Sequence, residues 1–469
     1  MRYINNKIRF IVAFNLLFTM SCENFVELDT PDHILVSPVV FNSGETATAA
    51  IKGIYNELAD ADFSRGYQYS VTVLAGMPSD IFETTSVTDT RYGPFQQNEI
   101  APAETPDASA NYNLWSSAYN IIYMANSALE GLENSTNIPV GQLGILEGRA
   151  LFLRAFTYFY LTNLYGDVPL VLTTDYRQNS LATRNPASEV WDQLTDDLEE
   201  AVVLLDGQDF YGENERTNIN QYVVQAFLAR VYLYREDWNK AEEWSSKLID
   251  QTTIYEIQED LDLVFLKNSK EAIWQISPEG RGFSSTYTGE GYMFRGNSSS
   301  PVKLSDNFVA SMQEKDKRLA NWVGFNSSRS FHFPYKYKDS NSRNSASEYS
   351  MVLRLAEQYL IRAESRAMQG NISGAIADVD VLRSRAGLDL INDIEPEINK
   401  EGLLNIISEE RKLELFSEWG HRWFDLKRTG KASQVLMPLK PLWQETDVLF
   451  PIPQVELDKN QNLHQNVGY

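Results

Sequence analysis

Residues 222–250 carry the clearest hydrophobic pattern in the chain, and this pattern predicts two helices that pack against each other. The first half is apolar on almost every side, which is typical of a helix buried in a core. Ala226 and Ala229 leave one flank thin enough for a second helix to approach closely. From Trp238 onward, apolar residues recur at helical spacing and charged residues occupy the opposite side. We therefore expect a buried helix, a short turn and an amphipathic helix.

A similar pattern returns in residues 353–386. Ala363 and Ala367 repeat the thin flank. Gly370 provides a helix stop, and Asn371 is suited to cap the next helix. This pattern is typical of tetratricopeptide-type helix pairs, although two ordinary antiparallel pairs are the alternative. Because one such pair cannot bury its apolar face alone, we expect further helices to stack on it.

The rest of the chain offers candidates for that stack. The residue pattern predicts helices over 45–58, 113–132, 148–165, 188–205 and 403–428, and strands over 272–276 and 333–337. Two regions, 61–111 and 261–350, are irregular and contain scattered aromatic residues. Irregular stretches of this length inside a compact protein are usually functional or locally folded. The fold class that follows is mainly α, with stacked helix pairs as a scaffold and loops with a few short strands on it.

Composition and charge limit the class of protein and the partners that the chain can bind. The 469 residues are 43% hydrophobic and 22% charged, which is typical of a globular protein. The formal net charge of -23 makes nucleic acid an unlikely partner, since the phosphate backbone would be repelled. Aromatic residues make up 12% of the chain, a surplus that favours a stacking surface for a ligand.

The first 21 residues read as a signal peptide, with Arg2, Lys7 and Arg9 ahead of a short apolar run. Cys22 is the single cysteine and lies where cleavage is expected, an arrangement that resembles a bacterial lipoprotein box. We expect acylation of Cys22, which would anchor the chain to a membrane, with residues 22–44 as a tether and 45–469 as the folded domain. The alternative is an ordinary signal peptide with a chance cysteine.

The C-terminal third carries a family resemblance. Residues 407–430 read ISEERKLELFSEWGHRWFDLKRTG, residues 450–453 read FPIP, and the chain ends in QNVGY. Together with residues 154–169 and Cys22, these motifs resemble the SusD/RagB family of outer-membrane surface lipoproteins. The resemblance implies a tetratricopeptide-like scaffold with a loop-built ligand face. It also implies a glycan-capturing lid that partners a SusC-like TonB-dependent transporter, with the protein facing the cell exterior.

The chemistry-bearing residues favour binding over catalysis. The four histidines are dispersed without metal-ligand spacing, and no phosphate-binding glycine loop occurs. We therefore predict no catalytic residue, no metal and no cofactor. Charges of alternating sign over 410–428 predict ion pairs that fix the helix exit, and Trp419, Trp423 and Phe424 are expected in the core.

The ligand site is expected where the two irregular regions meet, because sugars need aromatic platforms rimmed by polar groups. The candidate ligand-binding residues are Tyr67, Tyr69, Asp80, Arg91, Tyr92, Tyr287, Tyr292 and Trp322. The function we predict is capture of oligosaccharides without cleavage and their transfer to the transporter. The alternatives are capture of peptides or another nutrient by the same lid, and a secreted glycoside hydrolase.

Overall fold

The computed structural model describes residues 40–103, 105–208, 211–212, 215–279 and 285–469, so the predicted signal peptide and Cys22 lie outside the described residues. The α-helices are α1 (Gly44–Asp60), α2 (Val71–Leu74), α3 (Gly93–Gln97), α4 (Pro106–Glu133), α5 (Val140–Tyr165), α6 (Tyr176–Asn179), α7 (Ala187–Leu204), α8 (Gln221–Tyr234), α9 (Trp238–Ile249), α10 (Gly289–Met293), α11 (Asp306–Ser311), α12 (Lys317–Trp322), α13 (Leu355–Met368), α14 (Ile372–Ala386), α15 (Ile391–Ile394), α16 (Lys400–Glu414), α17 (His421–Arg428), α18 (Ala432–Leu436) and α19 (Gln454–Lys459). Short 3₁₀ helices cover Leu261–Leu263 and Glu445–Val448. The strands are β1 (Phe82–Thr84), β2 (Ala272–Ile276), β3 (Val302–Leu304), β4 (Val323–Asn326), β5 (Phe331–Pro334) and β6 (Ser350–Arg354).

The long helices form one continuous stack, which confirms the predicted scaffold. In chain order, α4 packs on α5, α5 on α7, α7 on α8, α8 on α9, α9 on α13, and α13 on both α14 and α16. The predicted pair at 222–250 is α8 and α9, and α8 is buried on nearly all sides. Asn220 begins α8 because its side-chain oxygen accepts a hydrogen bond from the Val223 N–H at 3.1 Å.

The second predicted pair is α13 and α14, with its turn built as expected. Gly370 has φ of +86°, a left-handed conformation that favours glycine, and the Asn371 side chain caps α14 through the Gly374 N–H at 3.1 Å. The two pairs are joined in the core by Arg230, whose guanidinium donates to Glu357 at 2.6 Å. Residues 350–354 belong to a strand, so this helix pair begins later than the pattern predicted.

The helix predicted over 403–428 is interrupted. α16 ends at Glu414 and α17 starts at His421, because Ser417, Trp419 and Gly420 adopt positive φ values of 57°, 44° and 71°. The break is buried, and Trp419 packs in the core as predicted. It directs the carboxylate of Glu418 toward interior cations.

The strands form three antiparallel pairs, β1 with β3, β2 with β6, and β4 with β5. The strand predicted over 272–276 is confirmed as β2. The strand predicted over 333–337 is wrong in its bounds, since β5 ends at Pro334 and the Tyr335 N–H donates instead to the Trp322 carbonyl. The β1–β3 pair joins the two irregular regions, with Phe82 opposite Leu304 and Thr84 opposite Val302. It therefore brings together the regions in which the ligand site is predicted.

Candidate ligand-binding groove

Two adjoining concavities are lined by residues of the two irregular regions that the β1–β3 pair joins. We call the two concavities together the tyrosine groove. The first arm has a volume of about 390 Å³ and the second about 530 Å³. The first arm is lined by Tyr67, Gln68, Asp89, Thr90, Arg91, Tyr92, Pro106, Tyr292, Met293, Arg295, Ser299, Ser300 and Pro301. The second is lined by Ser285, Tyr287, Tyr292, Arg295, Asn297, Ser340, Asn341 and Arg343. Because Tyr292 and Arg295 line both arms, the two arms form one continuous groove.

Three tyrosine rings form a platform at the junction of the arms. The rings of Tyr287 and Tyr292 stack with centroids 5.1 Å apart and planes 12° from parallel. Tyr67 meets Tyr292 edge to face at 5.3 Å. Aromatic pairs of this geometry stabilise one another beyond their buried area, which fixes the rings before a ligand arrives. The platform therefore combines residues from both irregular regions.

The short helix α10 holds Tyr292 in place. The Thr288 side chain caps this helix by accepting a hydrogen bond from the Gly291 N–H at 3.0 Å. A β-carbon on Gly289 would lie 1.8 Å from the Arg65 carbonyl oxygen, and one on Gly291 would lie 2.3 Å from that of Asp339. Glycine at both positions allows α10 to be wedged between backbone segments on two sides.

Arginine side chains lie beside several tyrosine rings in and next to the groove. The Arg295 guanidinium carbon lies 4.0 Å from the ring centroid of Tyr292. The Arg91 guanidinium lies 5.4 Å from the centroid of Tyr69 and 5.9 Å from that of Tyr92. These distances are within the range of cation–π attraction, so the rings hold both guanidinium groups in fixed positions.

Two groove tyrosines, Tyr67 and Tyr92, have hydroxyls that stay protonated at physiological pH because their pKa values are raised. Burial raises the pKa of Tyr67 above its ordinary value, an effect that Tyr292 reinforces and the charge of Arg295 opposes. Burial also raises the pKa of Tyr92 well above its ordinary value. Neutral hydroxyls both donate and accept hydrogen bonds, which suits a ligand rich in hydroxyl groups.

A loop over residues 338–348 forms the far wall of the second arm. The Glu348 carboxylate anchors it by accepting hydrogen bonds from the Lys338 N–H at 2.8 Å and the Asp339 N–H at 3.0 Å. The Thr286 N–H donates to the Ser342 carbonyl at 3.0 Å, which ties the loop to the segment that carries Tyr287. The buried Glu348 carboxylate is therefore one of the contacts that position the loop.

The structure brings together five of the eight predicted ligand-binding residues. Tyr67, Arg91, Tyr92, Tyr287 and Tyr292 line the groove, where their contact with a ligand stays a prediction. The sixth, Tyr69, is half-buried against the core and lies behind the guanidinium of Arg91.

Trp322 was predicted in the ligand face, and this prediction is wrong. Its side chain is 0% exposed, and its indole N–H donates to the Leu261 carbonyl at 3.1 Å. The ring packs against Phe265 at 5.5 Å and over Lys336, whose Nζ lies 4.6 Å from its centroid. Trp322 ends the amphipathic helix α12, and the apolar Leu319 three residues earlier was a signal that this side faces inward.

Asp80 also lies outside the groove, contrary to the prediction. Its two carboxylate oxygens accept hydrogen bonds from the Arg422 guanidinium at 2.7 and 2.8 Å. This ion pair lowers the pKa of Asp80 against the opposing effect of burial. Asp80 therefore fixes the C-terminal helices to the region before β1, a contact between residues 342 positions apart.

Sequence reasoning missed Arg295, Asn341 and Arg343. Arg295 lies three residues after Tyr292, a spacing at which side chains on a helix and its exit meet, and this was an available signal. Asn341 and Arg343 reach the groove only because the 338–348 loop folds back on residues 285–292, and no local pattern reports that.

A further concavity of about 570 Å³ lies between α1 and β2. Two of its polar aromatic atoms already form hydrogen bonds within the protein. The Trp274 indole N–H donates to the Thr217 carbonyl at 3.2 Å, and the Tyr349 hydroxyl donates to Glu279 at 2.8 Å. The tyrosine groove is therefore the better candidate for a ligand.

Within the described ranges, no group of three or more histidine, cysteine, aspartate or glutamate side chains is placed to hold a metal ion. In the same part of the chain, no helix combines the length and apolar character needed to cross a membrane.

Comparison with known proteins identifies the family. A family model described as "Starch-binding associating with outer membrane" matches residues 29–233, and one described as "SusD family" matches residues 212–441. The curated relative SusD-like protein P2 of Formosa agariphila is 30% identical, over 99% of both chains. The chain therefore belongs to the SusD family.

Solved structures share the fold at lower sequence identity. A laminarin-binding SusD-like protein superposes with a TM-score of 0.77 at 23% identity, covering 91% of this chain and 99% of its own. Surface glycan-binding protein A from Bacteroides thetaiotaomicron, in complex with laminarihexaose, gives a TM-score of 0.75 at 20% identity, with 90% and 99% coverage. These likenesses confirm the helical scaffold predicted from the sequence.

Proposed function

We propose that the protein captures oligosaccharides in the tyrosine groove at the outer surface of the cell, without cleaving them. The observation that carries the proposal is the preformed platform of Tyr67, Tyr287 and Tyr292 at the junction of two arms. Flat aromatic rings match the apolar C–H faces of sugars, and the polar rim matches their hydroxyl groups. Family membership and the glycan ligands of two structural relatives support the same function.

Tyr292→Ala tests the proposal, because this ring belongs to both arms. We expect isothermal titration against a panel of oligosaccharides to show binding by the wild type. The variant should bind about tenfold more weakly, since one aromatic contact contributes roughly 1–1.5 kcal/mol beyond its area. Tyr176→Ala is a matched control, as Tyr176 is 75% exposed, lies near an arginine and is remote from the groove in the structure.

Two results would contradict the proposed function. Binding of peptides but of no oligosaccharide would assign the groove to another nutrient. Release of new reducing ends on incubation with a bound oligosaccharide would make the protein a glycoside hydrolase.

We also propose that the protein acts as a tethered lid on a SusC-like TonB-dependent transporter, anchored by a lipid on Cys22. Tethering to the membrane raises the local concentration, so weak direct contacts are enough for a stable complex. The lipoprotein-like position of Cys22 and the family model that mentions the outer membrane support the proposal.

Cys22→Ala tests the anchor in the native membrane. We expect the variant to lose its lipid modification by mass spectrometry and to co-purify with the transporter in lower yield after detergent extraction. An unmodified Cys22 in the wild type, or an unchanged yield of the complex, would contradict the anchoring proposal.

A further inference from the structure

We propose that the tyrosine groove selects anionic oligosaccharides, which carry sulfate esters or carboxylate groups, over neutral ones. This inference rests on the proposed function, since it names the chemical class of glycan that the same groove takes. Arg91, Arg295 and Arg343 carry it, because they line the two arms with Arg295 at the junction.

These three groove arginines have no acidic partner. Within the described residues, none of them forms an ion pair, and Nε of Arg91 is buried without a hydrogen-bond acceptor. Neighbouring arginines behave differently, since Arg65 pairs with Asp62. A guanidinium without a carboxylate partner keeps a positive charge that an anionic ligand can neutralise.

Two of the three guanidinium groups lie over aromatic rings and not beside carboxylates. Arg295 lies over Tyr292 at 4.0 Å, and Arg91 lies over Tyr69 at 5.4 Å. A cation–π contact fixes the position of a guanidinium while leaving its N–H groups at the edge free to donate. The groove thus presents oriented donors whose positive charge the protein has not neutralised.

The local charge is opposite to that of the whole chain. Among the described residues, the lining holds three arginines against one carboxylate, Asp89, a formal excess of two positive charges in a protein of net charge -23. One oxygen of Asp89 already accepts hydrogen bonds from the backbone N–H groups of Arg91 at 3.0 Å and Tyr92 at 2.6 Å. Screening limits exposed charges to a range of about 8 Å at physiological ionic strength, so the groove residues decide the local attraction.

The residue type narrows the ligand chemistry. All three groove cations are arginines, whose planar fork of N–H donors matches two oxygens of a sulfate or carboxylate at once. The tyrosine platform beside them matches the sugar ring. A ligand that satisfies both features is an oligosaccharide with negatively charged substituents.

Matched pairs of oligosaccharides test the selectivity of the wild-type protein. One pair is hexagalacturonate and its methyl ester, and the other is a sulfated carrageenan hexasaccharide and its desulfated form. We expect at least one anionic member to bind about tenfold more tightly than its neutral partner, as one charge-assisted bidentate contact predicts. Its affinity should fall about threefold or more between 0.05 and 0.5 M NaCl, because salt screens the attraction. The pair that shows the preference tells sulfate from carboxylate.

Variants then locate the effect. Arg295→Gln should weaken binding of the anionic oligosaccharide about tenfold and change binding of a neutral one less than about threefold. Arg343→Gln, at an exposed position, is a second variant that should fold normally and act in the same direction. Arg177→Gln removes one positive charge from an exposed helix remote from the groove and should leave both affinities unchanged.

The outcomes separate this inference from the proposed function. Equal or tighter binding of the neutral member in both pairs overturns the preference for anionic glycans and leaves oligosaccharide capture standing. Absence of binding to both anionic oligosaccharides also overturns the preference, whereas capture itself is judged by the wider panel and Tyr292→Ala. Equal effects of Arg177→Gln and Arg295→Gln would overturn the assignment to the groove.

Discussion

Two groups of arginines in this protein have opposite surroundings. The first belongs to a buried charge cluster between α12, β6, α14 and α16. It consists of Arg318, Lys336, Arg354, Arg385, Glu271, Asp316, Glu410, Glu414 and Glu418. Every arginine there contacts at least two carboxylates. Two of the groove arginines, Arg91 and Arg295, contact aromatic rings instead, and none of the three has a carboxylate partner in the described part of the chain.

Two buried glutamates also have opposite surroundings, because guanidinium groups surround Glu414 and backbone N–H groups bind Glu348. Burial would raise the pKa of Glu414, but the guanidiniums of Arg385, Arg354 and Arg318 hold it well below its ordinary value. Burial does raise the pKa of Glu348, to about 7, because it accepts only backbone N–H groups and lies near Asp339. Burial raises the pKa of both carboxyls, and only at Glu414 do neighbouring guanidiniums outweigh it.

Desolvation explains why both arrangements exist. A charge removed from water must be paired, and breaking such a pair is costly because the remaining charge stays buried. At the groove, water or a ligand supplies the missing partner, so an arginine can remain available for binding. The buried cluster therefore stabilises the fold, and the groove arginines are free to act on a ligand.

The largest expected effect follows from Glu414→Gln. The substitution removes one of the two carboxylates that contact both Arg354 and Arg385, and should lower the free energy of unfolding by about 3–5 kcal/mol because these buried guanidiniums keep fewer partners. Urea denaturation followed by circular dichroism measures it. Glu409→Gln is the control, since this side chain is 54% exposed and should change stability by less than about 1 kcal/mol. A loss below about 1 kcal/mol for Glu414→Gln would show that the cluster does not stabilise the fold.

Replacing one arginine from the buried cluster and one from the groove by glutamine tests the comparison between the two groups most directly. Arg385→Gln should cost about 3 kcal/mol, less than Glu414→Gln can cost, because two other guanidiniums still contact Glu414. Arg295→Gln should change the free energy of unfolding by less than about 1 kcal/mol, since it removes only a partly exposed cation–π contact. Similar losses for both variants in thermal or urea unfolding would mean that Arg295 is as structural as Arg385.

The smallest effect concerns the pH dependence of binding. Above pH 7 the ionised Glu348 accepts two backbone hydrogen bonds from the 338–348 loop, and below pH 7 the protonated group loses one acceptor. Because this loop carries Asn341 and Arg343, oligosaccharide affinity should fall about two- to threefold from pH 8 to pH 6, less than a full hydrogen bond contributes. Titration calorimetry at both values measures it.

Glu348→Gln provides the control for this pH dependence. The amide does not ionise, so its affinity should be constant from pH 6 to pH 8 and close to that of the wild type at pH 6. A wild-type profile that persists in the variant would assign the titration to a group other than Glu348.

Part of the site was predictable because local residue types mark it. Five residues stand out as aromatic or basic residues in irregular stretches, and they line one groove. They are Tyr67, Arg91, Tyr92, Tyr287 and Tyr292. Trp322 stood out for the same reason and is buried, because a large apolar side chain fits a loop surface or a core equally well. Asp80 was predicted to bind the ligand, but its carboxylate accepts a hydrogen bond from Arg422 in the structure.

The sequence by itself determined the two helix pairs, the turn between α13 and α14 and the family resemblance, because these depend on short periodicities and motifs within a few dozen residues. Only the tertiary structure decided which charges are neutralised. Arg354 meets Glu414 across 60 positions, whereas Arg295 meets no carboxylate among the described residues. Whether two charged side chains pair depends on their distance in space and on their access to water, and neither can be read from the order of residues along the chain.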